Sequence, residues 1–477
     1  MGALTKILSE IWAHPEELGA LMRMRAKAKA AKKLPKNKSL AFCYDILVTV
    51  SRSFAVVIQE LHPELRDAVC VFYLVLRALD TVEDDMAIPQ ETKIPMLNAF
   101  YEKCTDRTFT MECGDGEYKR LMRQYPLVVD VFLSLKKEYQ EVIADITKRM
   151  GEGMAEFIPK EVVTVAEYDK YCHYVAGLVG IGLSNLFAAS ELETDEFRDL
   201  DALSDSMGKF LQKTNIIRDY LEDIEELPAP RMFWPKEIWG LYAEQLEEFK
   251  DAENRDSAVQ CLNHLVTNAL EHMPDCFQYM DKVIAPSVFA FCAIPQVMAI
   301  ATLAECYNNP AVFTGVVKIR RGLSARLAME TKDMASFAAW TMHFAQEIAA
   351  KVKPNKDPNA QKTLAAIEKI EDVAASKMLE LGVTRRTHGP KIAGIESNVK
   401  AVTIQANEEP IPVGVRIVLW LIFFGYFCYA WQVGRVRVSL GVDESYNGRT
   451  TVEHFNKALA LLFLMFFTYI GITGKKW

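Results

Sequence analysis

The chain has 477 residues, half of them hydrophobic and a quarter charged. That balance excludes a disordered chain and suits a globular protein with added apolar segments. The formal charge of −8 offers no net basic field to a phosphate backbone, which argues against nucleic acid as a partner, and ten scattered cysteines without a CxxC pair read as reduced thiols in a cytosol-facing protein rather than a disulfide or zinc framework.

Residues 1–35 read as a basic N-terminal arm. No apolar stretch there is long enough for a signal peptide, and the run MRMRAKAKAAKK at 22–33 reads as a solvated arm, with contact to a membrane surface as the other use of such charge. From 36 to 352, apolar residues recur at three- and four-residue spacing and Gly and Pro mostly punctuate the gaps. Strand-like alternation is scarce, and no repeat period shows. The pattern predicts one large all-α domain.

The first chemical signal is FYLVLRALDTVEDDM at 72–86. On a helix, Tyr73, Arg77, Asp80 and Asp84 fall within a sector of about 60°. Everything else from Val71 to Val82 is apolar apart from Thr81, so the polar stripe is expected to face an internal cavity. Ionised carboxylates buried there need cations. Pairing with Arg77 at the end of a surface helix is the plain alternative. Upstream, Arg52 and Phe54 stand in VSRSF at 50–54.

YDKYCHYVAGLVGIGLSNLFA at 168–188 places Gly177, Gly180 and Gly182 inside an apolar helical pattern. Each interior glycine costs about 1 kcal/mol relative to Ala, so close helix contact or substrate access is the reason to look for. No strand precedes these glycines and their order is wrong for a dinucleotide loop. His173 reads as a structural histidine.

FLQKTNIIRDYLEDI at 210–224 repeats the earlier device. Gln212, Asn215, Asp219 and Asp223 lie close to one face, Arg218 and Glu222 stand at its margin, and Phe210, Thr214, Ile217, Leu221 and Ile224 cover the other side. Two Asp-x-x-x-Asp helices facing each other would line the mouth of an apolar cavity with carboxylates. Oxygen ligands without His or Cys suit a hard cation, above all Mg²⁺, which completes its shell with water and substrate phosphates. The implied substrate carries a diphosphate, with Arg52, Arg77 and Arg218 as charge-assisted partners. An oily cavity beneath such a mouth suits an isoprenyl diphosphate, because metal on the leaving group assists ionisation and an apolar, aromatic lining shelters the carbocation.

Further on, VVKIRRG at 316–322 gathers Lys318, Arg320 and Arg321, a site for phosphate groups or a solvated basic turn. Residues 353–410, with KPNKDPN and EEPIP, read as a linker. Residues 411–434, charge-free from Ile417 to Gly434, read as a transmembrane helix, and 458–474 as a second apolar, membrane-spanning segment. Arg435, Arg437, Arg449 and Lys457 lie between them, so basic residues do not fix their topology.

VSRSFAVVIQEL, FYLVLRALDTVEDDM, YCHYVAGLVGIGLSNLF, FLQKTNIIRDYLEDI and FCAIPQVMAIATLAECYNN together resemble the squalene synthase family over about residues 40–325. The resemblance implies an isoprenoid-synthase α-fold with a central cavity, anchored at the endoplasmic reticulum membrane with the catalytic domain, read as a monomer, facing the cytosol. The implied reaction joins two farnesyl diphosphates head to head into presqualene diphosphate and reduces that intermediate to squalene with NADPH. By position, Asp80 and Asp84 would hold Mg²⁺ at one diphosphate and Asp219 and Asp223 at the other. Tyr171 would act in the first half-reaction as proton acceptor or cation stabiliser. Phe291 and Cys292, in FCAIPQ, match residues associated with shielding the later cation, Phe54 would line the cavity, and the VKIR-type segment belongs to the reductive half. A phytoene or dehydrosqualene synthase shares both acid helices but stops without reduction. A silent membrane-tethered scaffold would not need all four aspartates and Arg77.

Overall fold

A computed structural model describes residues 13–30, 34–51, 53–227 and 230–382. The chain divides into two units, Met1–Ile404 and Gln405–Trp477, and every described residue lies in the first. Arg52 and the apolar runs at 411–434 and 458–474 lie outside the described residues. No strand occurs among those described, so the expectation of an all-α body is met.

The helices that position the site and its supports, in chain order, are α1 (Glu17–Ala30), α2 (Lys38–Ser51), α3 (Pro63–Asp84), α4 (Gln90–Ala99), α5 (Lys137–Phe157), α6 (Val165–Cys172), α7 (Leu178–Ala189), α8 (Asp201–Arg218), α9 (Tyr220–Ile224), α10 (Arg255–Leu270), α11 (Met273–Met280), α12 (Pro286–Cys306), α13 (Arg321–Glu330), α14 (Met334–Lys351) and α15 (Ala360–Glu380). Shorter turns connect them, and a π-turn, His173–Gly177, joins α6 to α7.

α8 is the hub. It packs on α7, α10, α11 and α12 and on the π-turn, while α5 packs on α3, α4 and α7. α3 starts with Pro63 in its first turn, where a missing N–H is harmless, and the His62 ring accepts from the Glu64 N–H. Leu65, Val69, Phe72, Val75 and Leu79 bury almost completely, which leaves Asp84, but not the buried Glu83, facing outward at its C-terminal end. A capping box, Thr164 with Glu167, starts α6. The three glycines of 168–188 are packing glycines. A Cβ on Gly180 would sit 2.2 Å from the Ser204 carbonyl oxygen of α8, and one on Gly182 would strike Phe72 and Ile146.

Two boundaries differ from the sequence reading. The stretch taken as a linker from 353 opens with α15, which packs on α14, α10 and α11 and buries Ile367, Ile370, Ala374 and Met378 along one face. Asn263 donates to Asp357 at 2.8 Å, and the hydroxyls of Thr267 and Thr363 meet at 2.6 Å. The Pro-rich KPNKDPN marks a turn inside the body, so the helical body extends to about 382. The N-terminal arm also contains α1, which lies against α13 with Ala20 and Glu17 buried and Arg23 and Arg25 exposed.

Candidate active site

α3 and α8 bring their acid-bearing ends to one cleft of about 480 Å³. Asp84 comes from α3, while Gln212, Asn215, Asp219 and Asp223 come from α8 and α9. Tyr171 forms part of the wall. The sequence expected one helix through 210–224, but the helix breaks at Asp219 and restarts as α9. Tyr220 explains the break: its ring is buried among Trp234, Phe249 and Phe313 and its hydroxyl donates to the Leu246 carbonyl at 2.5 Å. Holding that ring turns Asp219 and Asp223 together toward the cleft.

Four acids at or beside the cleft are met by arginines, while Asp223 has no such ion pair among the described residues. Asp80, Arg77 and Arg218 stand behind the lining rather than in it. Arg77 lies 3.2 Å from Asp80, and Arg218 grips Asp219 with two bonds of 2.6 and 2.5 Å. Arg231 pairs with Asp84 and lies 2.5 Å from Glu83, which is buried. Burial pushes Asp80 up to about 6, with Asp84 adding to it and Arg77 opposing. Asp223 is pushed up to about 7 by burial and then by the neighbouring Asp219 and Glu226. Burial raises Glu83 too, against the pull of Arg231.

This crowding is a test of fit for a cation. Carboxylates whose charged form is disfavoured by burial, and further by one another, are stabilised in that form when a hard cation joins them. No three carboxylates of the cleft come within 4.8 Å of one another among the described residues; the one such group, His14, Glu16 and Glu17, lies elsewhere. The cleft acids therefore form an open set of oxygen donors rather than a closed cage. That suits Mg²⁺, whose remaining positions are taken by water and phosphate oxygens. Arg77 Nε is buried without a hydrogen-bond partner.

The apolar wall is aromatic. Tyr171 stacks on Phe233 at 3.9 Å and 9°, Phe157 meets Tyr171 edge-on at 5.4 Å, and the Arg231 guanidinium lies 5.4 Å from the Phe233 ring. Burial pushes the Tyr171 hydroxyl well above its ordinary range, and Glu83 adds to this. Beside the cleft, Phe54 and Tyr73 lie 6.4 Å apart, and Arg77 sits 5.7 Å from the Tyr73 ring.

Other expected residues lie away from the lining. Phe291 packs edge-on against Phe187 between α12 and α7, and Cys292 is buried next to it with its thiol raised by burial. Lys318 and Arg321 are exposed and make no ion pair among the described residues, while Arg320 is half-buried and paired with Glu17. Sequence reasoning missed Arg231, Phe233 and Glu226, which line the cleft, and Glu83, which meets it through Arg231. The only local hint was the FWP triplet after Arg231, where Trp234 is wholly buried and donates to the Ile216 carbonyl.

With this geometry in hand, comparisons fix its relatives. Residues 47–322 match the squalene/phytoene synthase family. The chain is 55% identical over 374 residues to squalene synthase 1 of Arabidopsis thaliana, covering 78% of this chain and 89% of that one. It is 54% identical, over the same length and shares, to inactive squalene synthase 2 of Arabidopsis thaliana. Overall likeness thus accompanies both outcomes, and activity turns on particular residues. The solved structure of TcSQS with the ligand BPH1237 aligns with a TM-score of 0.70 at 46% identity, over 71% of this chain and 99% of the other.

Proposed function

Because this chain belongs to the squalene/phytoene synthase family, we propose a division of labour among the residues of its cleft. The enzyme is a squalene synthase: it condenses two farnesyl diphosphates to presqualene diphosphate and reduces this to squalene with NADPH. The carrying observation is that acids from two separate helices and a stacked tyrosine share one cleft.

Asp80 and Asp84 on one side, and Asp219 and Asp223 on the other, hold Mg²⁺; bound there, the metal neutralises a departing diphosphate. Arg77, Arg218 and Arg231, now paired with those acids, are the nearest donors to the phosphate oxygens. Arg52 is assigned the same duty on its place in VSRSF. Gln212 and Asn215 orient the diphosphate by neutral hydrogen bonds from the α8 wall. Tyr171, backed by Phe233 and Phe157, presents a ring face to the first cation and closes the cleft to water. Phe54 and Tyr73 extend that wall, and Phe291 and Cys292 are assigned to the later cation. Lys318, Arg320 and Arg321 fit the phosphates of NADPH by charge, although Arg320 is engaged with Glu17. The runs at 411–434 and 458–474 anchor the enzyme at the endoplasmic reticulum with the body in the cytosol, and the body acts as a monomer.

Incubation with farnesyl diphosphate and Mg²⁺, with and without NADPH, tests the reaction. Squalene is expected only with NADPH. A desaturated hydrocarbon formed regardless of NADPH would overturn it in favour of a dehydrosqualene synthase.

A further inference from the structure

Directly after Tyr171 and Cys172 the helix takes one residue too many. The Leu178 N–H bonds to the His173 carbonyl, five residues back, and the chain runs helical on both sides of this π-turn. One inserted residue rotates the helix before the turn by about 100° relative to the helix after it. The later helix, α7, is anchored, since Gly180 abuts the Ser204 carbonyl of α8. The earlier helix, α6, carries Tyr171. The Tyr171 hydroxyl makes no hydrogen bond among the described residues, so its aim depends on ring stacking and on the backbone that carries it.

π-turns are strained and need holding. Here His173 Nδ1 lies 2.8 Å from Asp205 Oδ1, and Lys209 Nζ lies 2.6 Å from Asp205 Oδ2. Burial would raise the Asp205 carboxyl, but the bonds from His173 and Lys209 outweigh it and keep it below its ordinary range. The turn is shaped to admit the carboxylate: a Cβ on Gly177 would fall 1.8 Å from Asp205 Oδ1. Gly208, on the same face of α8, leaves room for the Ala176 carbonyl, at 2.2 Å from its own missing Cβ. On the far side, the Tyr174 ring fills the space above Gly153 and its hydroxyl donates to Glu156 at 3.1 Å. None of these side chains lines the cleft. Asp205 and Lys209 nevertheless stand on the helix that ends at Asp219.

We infer that Asp205, held by Lys209, grips His173 and so fixes the π-turn that aims Tyr171 into the cleft in register with Asp219 and Asp223. His173, Asp205 and Lys209 are positioning residues for the first half-reaction. The inference rests on the assignment of Tyr171 to that step.

The test uses the full chain, single turnovers with labelled farnesyl diphosphate, and a melting curve for each variant. Asp205→Leu should slow presqualene diphosphate formation about 10- to 100-fold, the scale of a small misplacement of a catalytic group. KM for farnesyl diphosphate should stay within about twofold, because the diphosphate-holding acids are untouched. His173→Phe should behave alike. His173→Asn, which keeps a donor where Nδ1 stood, should restore the rate to within about threefold of wild type. If Asp205→Leu does not fold, Lys209→Met leaves the His173 bond in place and should still slow the step about 3- to 10-fold. Wild-type rates in Asp205→Leu or Lys209→Met, no recovery in His173→Asn, or a rise in KM alone would each overturn the inference. Tyr171→Ala is the control, because it removes the ring face given to the first cation. A wild-type rate there means that the role given to Tyr171 is wrong; a collapse there with unimpaired Asp205→Leu means that only the positioning claim is wrong.

Discussion

Glu17 and Arg320, 303 positions apart in sequence, form one ion pair, with Arg320 donating to Glu17 Oε1 through Nη2 at 3.0 Å and Nε at 3.3 Å. The carboxylate is 4% exposed and packs over Gly322, where any Cβ would collide with it. A carboxylate therefore stands where the NADPH assignment needs a phosphate. Glu17→Gln should lower KM for NADPH by up to about fivefold at low salt, the reach of an ion pair whose arginine is partly exposed, with the gain fading as salt rises. An unchanged KM would remove Arg320 from the cofactor site.

Neutralising Lys318, Arg320 and Arg321 together to Gln should spare the first condensation. Presqualene diphosphate should accumulate and squalene stay low even at excess NADPH, read from labelled farnesyl diphosphate. Wild-type squalene output would make the turn a solvated surface.

Asp80→Asn and Asp219→Asn should act earlier, before any intermediate appears. Each removes a hard ligand while keeping shape, and loss of such a contact typically slows the reaction by ~10²–10³. Arg231→Gln belongs with them: it strands the buried Glu83 and empties the grip on Asp84, and should slow turnover by about 10²-fold while lowering the melting temperature. Either aspartate mutant making squalene normally at saturating Mg²⁺ refutes the paired-carboxylate site.

The raised acids carry a pH signature. Asp80 titrates near 6 and Asp223 near 7 in the folded body, against about 3.9 for an unfolded Asp. Between about pH 4 and 7 these two groups therefore hold more protons in the folded than in the unfolded chain, and their contribution to the stability of the metal-free enzyme falls as pH rises through that window. Mg²⁺ needs these groups ionised. Added Mg²⁺ should accordingly raise the melting temperature more at pH 7.5 than at pH 5.5. An equal rise at both values, by thermal denaturation, would show that these acids are not the metal's ligands.

Where the chain is cut decides whether the body survives. Removal of everything after Gly382 should leave a soluble, active enzyme. A cut after Lys353 strips α15 and with it the burial of Ile367, Ile370 and Met378, each contributing about 1.5–3 kcal/mol, so that protein should aggregate. A soluble, active chain ending at 353 would restore the boundary read from the sequence.

The two acid helices were legible because a charged stripe on an oily helix is a local, periodic signal. Arg231 and Phe233 were not, because they sit in a connecting loop where no period exists. The Tyr171 assignment came from family resemblance alone, as a buried tyrosine on a helix looks like core. The helix α15 was hidden by the prolines before it, although Ile367, Ile370 and Ala374 carry helical spacing. The Glu17–Arg320 pair was out of reach altogether, since nothing in either segment names its partner. The π-turn left a trace only in Gly177 and Gly180, which announced close packing without saying against what.

Two segments of the body, Val165–Ala189 and Pro286–Cys306, are long and apolar enough to cross a bilayer, yet both are largely core. As unfolded polypeptide they would compete for membrane insertion with the apolar runs at 417–434 and 458–474. Chain order resolves the competition. The runs come after the entire body, so the body is synthesised first and can hide its oily helices around α8 before either run emerges.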